Sequence, residues 1–216
     1  MSDHLNSSRF ASIARRLGRQ DPALRAIVVE FGLPAFWQRP AGFPSLVLFI
    51  LEQQVSLASA AAAYRRIRSR LGEVEPVLLL RAAVEDLRAD GVSRQKDRYL
   101  RELASAVVDG RLELGRLADE EDDEVRRRLM ALSGIGRWTA DVYLLACLGR
   151  PDIWPVGDRA LQVAAVEALA LPTTPGPVEL QAIGERWKPN RAVAARLLWH
   201  GYLGRRGRIE TPNDLF

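Results

Sequence analysis

The sequence predicts an all-α fold, and three observations predict it. Apolar residues recur at helical spacing in segment after segment. No stretch shows the period-2 alternation bounded by turn residues that marks paired strands. Capping residues and Gly or Pro breaks recur at helix-length intervals.

Each element follows from local chemistry. Residues 21–31 read as a helix with Asp21 as N-cap and Pro22 at the first helical position. Residues 33–42 hold Pro34, Pro40 and Gly42 and read as a connector. A long helix is expected from near Pro44. Leu46, Leu48, Phe49, Ile50 and Leu51 make its early part buried nearly all round. The alanine-rich run 58–63 then permits close packing ahead of Arg65, Arg66, Arg68 and Arg70. A shorter helix is read over 76–90. Ser93 caps the next, which runs through Lys96, Tyr99, Leu100, Leu103 and Val107 to Gly110. In 119–131 the acids Glu120, Glu121 and Asp122 precede Arg126, Arg127 and Arg128, a polarity that suits the helix dipole. Further helices are expected over 137–148, 158–170, 178–186 and about 190–203. Gly149 and Pro151 stop the first of these, and 172–177 is a break. The tail, 204–216, is polar and basic and is expected to be partly loose.

The 216 residues suffice for one domain, or two closely packed subdomains, with a sizeable core. Hydrophobic and charged fractions of 48% and 27% are ordinary for a globular protein, so composition selects no special class. The net charge of +4 leans mildly toward a polyanionic partner. One cysteine, Cys147, excludes an internal disulfide and a four-thiolate cluster; its apolar neighbours read it as a buried, inert thiol. No apolar run reaches the roughly 20 residues of a membrane span, and nothing at the N-terminus resembles a signal peptide. An intracellular, cytoplasmic protein is the expectation.

Two stretches carry chemistry. Leu132-Ser133-Gly134-Ile135-Gly136-Arg137-Trp138-Thr139-Ala140 reads as helix, glycine hairpin, helix. Gly134 and Gly136 are read as permitting backbone angles that a side chain forbids, with Ile135 plugged into the core. The second helix then opens with outward N–H groups and a positive dipole end, which favour a phosphate oxygen. An ordinary interhelical turn is the alternative for the bare glycine tripeptide. About twenty residues on, Pro155-Val156-Gly157-Asp158 puts a carboxylate at a helix start. Asp158 reads as an N-cap. The same position keeps it ionised, so it could also stabilise positive charge building on a sugar during glycosidic cleavage. Asp141 reads as a helix residue that is solvent-exposed or makes structural hydrogen bonds.

With these motifs in place, the chain resembles the helix-hairpin-helix (HhH-GPD) DNA glycosylase superfamily. Within it, the resemblance is to the 3-methyladenine DNA glycosylase II group, in a compact form without the N-terminal β domain. The hairpin matches the group's pattern with Ser133 where proline is usual, and Pro155 to Asp158 matches the loop of the catalytic aspartate. Ile50 to Ser56, Gly91 to Lys96, Glu185 to Pro189 and Trp199 resemble further family segments, and the similarity spans about 43–203. The resemblance implies two helical subdomains with the DNA-binding cleft between them. One covers about 42–148 with the hairpin; the other combines about 1–41 and 149–216 and carries the aspartate.

The resemblance also implies roles. Asp158 is the catalytic residue. Gln53, Gln54, Gly134, Ile135, Gly136, Arg137 and Thr139 contact DNA, with Gln54 as the wedge that fills the gap of a flipped nucleotide. Trp138 and Trp199 form the base pocket and stack on a cationic alkylated purine. The carbonyls of Met130, Leu132 and Ile135 would hold a structural sodium or potassium ion. No other cofactor is required, and no iron–sulfur cluster is expected with a single cysteine. Strand-nicking relatives carry a lysine where this chain has Trp138, so no Schiff base can form there and a monofunctional enzyme is implied. The implied function is excision of 3-methyladenine, with 7-methylguanine or ethenoadenine as further substrates, by a monomer acting on double-stranded DNA. A non-catalytic DNA-binding module and a glycosylase for oxidised bases are the alternatives.

Overall fold

The computed structural model describes residues 4–208 and Leu215, and among these all regular structure is helical. In chain order the α-helices are α1 (Ser7–Gln20), α2 (Pro22–Phe31), α3 (Phe43–Glu52), α4 (Leu57–Leu71), α5 (Pro76–Arg81), α6 (Val84–Ala89), α7 (Arg94–Val108), α8 (Asp122–Met130), α9 (Arg137–Ala146), α10 (Arg159–Leu169), α11 (Pro177–Gly184) and α12 (Arg191–Gly204). Single 3-10 turns cover Leu114–Arg116 and Glu185–Trp187. The described residues form two compact units. The terminal unit comprises 4–38 and 144–208, and the central unit 39–143 with Leu215.

Each unit is organised on a helix buried nearly all round. In the terminal unit this is α12, whose Ala192 to Trp199 are all buried. It packs on α2, α10 and α1. Contact with α2 is made across bare backbone. A Cβ on Gly201 would lie 2.9 Å from Ile27 Cγ1, and one on Gly204 would lie 2.5 Å from Phe31 Cδ1. Asp21 joins α1 to α2: its amide donates to the Leu17 carbonyl, while its side chain accepts from the amides of Ala23 and Leu24. The expected N-cap is therefore present, and Pro22 stands at the first helical position. The preceding helix, α1, has no counterpart in the expectations from sequence. Phe10, Ile13, Ala14 and Leu17 line its buried face at helical spacing, but four arginines and a glutamine from Arg9 to Gln20 dilute the signal.

In the central unit the buried helix is α3, with Phe43 and every residue from Ser45 to Leu51 inside. It packs against α4 and α7. Glu52 at its end pairs with Arg39 through two bonds, at 2.9 and 2.6 Å, with both side chains only 8% exposed.

Two expected helices are each broken in two. The long helix from Pro44 stops at Glu52 and restarts at Leu57. Gln53 is extended, Gln54 is left-handed with φ 57°, and Ser56 caps α4 by accepting from the Ser59 amide. No Gly or Pro marks the break; tertiary bonds described below hold it. The helix expected over 76–90 divides into α5 and α6 because Ala82 and Ala83 are extended. Arg101 of α7 donates to the carbonyls of Leu80 and Ala82, at 3.3 and 2.9 Å, and so satisfies groups that the break frees. The other helices lie within a few residues of expectation. The tail from 209 onward lies outside the described residues apart from Leu215.

Helix α8, which leads into the hairpin, carries acids in its first turn and arginines in its last. Glu124 accepts from Arg127 and Arg128, and these bonds push its carboxyl down from 4.5 to about 2. A depressed folded pKa stabilises the fold above the unfolded value and loses that effect as pH falls toward the folded value. Glu124→Gln is therefore expected to show a flatter dependence of melting temperature on pH between 4.5 and 2 than the wild type. Parallel slopes over that window would refute the assignment.

Candidate functional site

The hairpin between α8 and α9 lies in the central unit. Gly134 is required twice over. Its φ is 86°, and a Cβ there would sit 2.2 Å from Tyr99 Cγ. Gly136 differs from the expectation for both glycines. It has no left-handed φ, and a Cβ there would meet nothing within 4 Å. The turn itself therefore does not require glycine at this exposed position. Ile135 is 4% exposed and anchors the loop, and its amide donates to the Leu132 carbonyl at 3.2 Å. Because α9 begins at Arg137, the amides of its first turn are directed away from the helix's own carbonyls.

Gln53 locks this loop. Its Nε2 donates to the Gly134 carbonyl at 2.8 Å and to Thr139 Oγ1 at 3.2 Å. Thr139 is 2% exposed, so its hydroxyl is committed to the interior of the unit. Arg137 is half exposed and donates to Asp141 Oδ2 at 3.0 Å, while Arg126 donates to Oδ1 at 2.7 Å. Asp141 is fully buried, so its role is the structural one. Trp138 is half-buried at the second position of α9.

Gln54 follows directly and is exposed, as are Val55 and Leu57. The end of α3 is braced from below by Lys96, whose Nζ donates to the Leu51 carbonyl at 2.6 Å. Burial of this ammonium lowers its pKa. The left-handed Gln54 thus projects from a fixed base. The helix break and the exposed glutamine carried no Gly or Pro signal; the cue in the sequence was Ser56 as an N-cap.

The carboxylate site lies in the terminal unit. Trp154 is 4% exposed, donates to the Leu180 carbonyl at 2.7 Å and packs against Trp187 at 5.4 Å between ring centroids. From this anchor the chain turns tightly, with the Asp158 amide donating to the Pro155 carbonyl at 3.0 Å. Asp158 then caps α10: its Oδ1 accepts from the Leu161 amide at 2.6 Å. The same oxygen accepts from Trp199 Nε1 at 3.0 Å. Trp199 is 9% exposed and stands at 88° to Trp37, 6.2 Å away. Trp37, in the connector after α2, was missed in the sequence because an aromatic beside two prolines carries no periodic signal. Among the described residues no group of three or more His, Cys, Asp or Glu could hold a metal ion, and no helix is long and apolar enough to cross a membrane.

Residues 47–190 match the model of the HhH-GPD superfamily of base excision DNA repair proteins. The chain belongs to this family. Its fold is similar to that of a DNA-3-methyladenine glycosidase from Bacillus halodurans, at 34% identity and a TM-score of 0.75, covering 90% of this chain and 91% of the other. It is also similar to a 3-methyladenine DNA glycosylase from Schizosaccharomyces pombe in complex with abasic DNA, at 25% identity and a TM-score of 0.80, covering 87% and 95%. A putative DNA-3-methyladenine glycosylase of Bacillus subtilis is 27% identical over 77% of this chain, which spans 64% of that relative's length. The helix-hairpin-helix architecture expected from the sequence is thus shown by this family member's fold and neighbours.

Gln53→Ala is expected to lower the unfolding free energy by about 1–2 kcal/mol, because it strips donors from a buried hydroxyl and a loop carbonyl. Gln54→Gly should leave stability unchanged or raise it by up to about 1 kcal/mol, since glycine relieves a left-handed residue. Urea denaturation of both variants tests the pair, and the opposite ranking would refute this account of the break.

Proposed function

We propose that this chain is a monofunctional DNA glycosylase that removes alkylated bases from double-stranded DNA, chiefly 3-methyladenine, with 7-methylguanine or ethenoadenine as further substrates. The observation that carries this reading is Asp158, a carboxylate held at a helix start by two donors on one oxygen, in a chain of a base excision repair family. It acts as a monomer inside the cell.

The chemistry follows from the residues. The exposed surface at Gly136 lets a backbone phosphate approach the first-turn amides of α9, where the helix dipole favours an anion. Gln54 fills the space left when the damaged nucleotide leaves the stack. Trp138 supplies an aromatic face for a cationic purine. As the C1′–N bond breaks, its electron pair goes to the base nitrogen and the cationic base departs neutral. Positive charge builds on the sugar, and the Asp158 carboxylate stabilises it. Water then bonds to C1′ and its proton passes to the carboxylate or to solvent. Trp138 stands where a strand-nicking relative would need a lysine amine, so the reaction ends at the abasic site.

The carbonyls of Met130, Leu132 and Ile135 are a donor set that fits sodium or potassium. The Leu132 carbonyl spends one lone pair on the Ile135 amide and keeps a second. Such an ion, when bound, would place a positive charge beside the phosphate.

Asp158→Asn separates capping from catalysis, because asparagine caps a helix about as well as aspartate. It should melt close to the wild type yet release 3-methyladenine from methylated duplex at least about a hundredfold more slowly. Neither protein should nick the strand. Equal release by both proteins, or none by either, would overturn the catalytic reading and favour a non-catalytic module. DNA affinity should fall steeply between about 50 and 200 mM salt as phosphate contacts release counterions, and a flat response would remove the phosphate grip.

A further inference from the structure

The indole of Trp199 is committed to the carboxylate. Its Nε1 donates to Asp158 Oδ1 at 3.0 Å, on the same oxygen that accepts the Leu161 amide at 2.6 Å. Two donors from different helices, α10 and α12, fix the orientation of one short side chain. With 9% of its surface exposed, Trp199 offers little ring face for a base to stack on. Trp37 meets the indole edge to face, at 88° with centroids 6.2 Å apart. Trp37 in turn lies under the buried guanidinium of Arg196, 5.3 Å from its ring. Arg196 also donates to the Ala35 carbonyl at 3.3 Å, which ties the connector that bears Trp37 to α12.

We propose that Trp199 is a positioning residue that sets the orientation of Asp158, and that Trp37 and Arg196 hold its indole edge on the carboxylate. The inference rests on the reading of Asp158 as the catalytic group. A hydrogen bond to an ionised group contributes more than one between neutral groups, and here it also restricts carboxylate rotation. A base-stacking residue would act differently. Its value would lie in the aromatic face, which phenylalanine keeps, and its loss would appear in lesion affinity.

The test is a double-mutant cycle read by single-turnover base release from methylated duplex, with DNA affinity measured alongside. Trp199→Phe keeps the ring and removes the N–H. It is expected to slow release about 10- to 100-fold at unchanged lesion-DNA affinity. In the Asp158→Asn background the same change should cost less than about threefold, because the charged acceptor is gone. Unchanged release in Trp199→Phe, or an equal loss in both backgrounds, overturns the proposal. If Asp158→Asn alone matches the wild type, the catalytic reading fails first, and the cycle shows this separately. A direct readout needs no tryptophan variant that folds. Five tryptophans give five indole N–H resonances. Nitrogen-15 labelling of the full chain should show the Trp199 resonance moving upfield in Asp158→Asn, and an unmoved resonance overturns the proposal.

Discussion

The side-chain amide of Gln53 carries the central unit's part of the site. One nitrogen bonds the Gly134 carbonyl and the Thr139 hydroxyl, and so joins the break after α3 to the turn before α9. Lys96 on the Leu51 carbonyl and Ser56 under the Ser59 amide also hold the break. Those bonds end one helix and begin another, but neither reaches the hairpin. In the proposed reading the two segments contact the same duplex, one at a phosphate and one inside the stack. A hydrogen-bonded tie between them keeps their spacing constant while DNA is deformed. Gln53 thus has a structural task distinct from the DNA contact that the resemblance implied for it.

The terminal unit meets a similar need with different chemistry. Asp158 is a short side chain whose two oxygens would exchange easily if only the helix amide held it. The second donor comes from α12, the most buried helix of that unit. Its rigidity comes from packing: Gly201 and Gly204 let α12 lie on α2 at distances no side chain would allow. In the proposed reading Asp158 faces developing positive charge, and it gains from such preorganisation because no reorientation is needed as the charge appears. The well-packed core of the unit is in this sense part of the site.

Much of this was legible in the sequence, and the exceptions have a common cause. Caps and breakers are local, so Asp21, Pro22, Ser93 and Asp158 announced their helices directly. The helix-hairpin-helix motif was legible because Gly-Ile-Gly and its neighbours are contiguous. The broken helices were not. The extended residues at Gln53 and at Ala82 are held by donors from residues far along the chain, Lys96 and Arg101 among them, and no local propensity encodes these. Asp141 was read as either exposed or structural, and only the fold places Arg126 and Arg137 on its two oxygens. Trp37 was invisible for the same reason. Its importance lies in the ring it meets, 162 residues away in the chain (199 − 37).

The contrast between the two hairpin glycines separates what the fold needs from what it does not. Gly134 has a structural cause, a left-handed backbone pressed against Tyr99. Gly136 has neither strain nor a neighbour, and alanine would fit there at lower conformational cost to the chain. Gln54 departs from the local rule in the other direction. A glutamine sits in a conformation that glycine tolerates better, with its side chain in solvent and exposed Val55 and Leu57 nearby. Local choices that the fold does not explain concentrate where a ligand acts. Both such positions fall on segments that one amide, Gln53, ties together. A bare backbone beside helix amides suits an anion that must come close, and a projecting polar side chain on an apolar shoulder suits a gap in a base stack. In the proposed reading the two departures serve the same ligand, a duplex opened at one nucleotide.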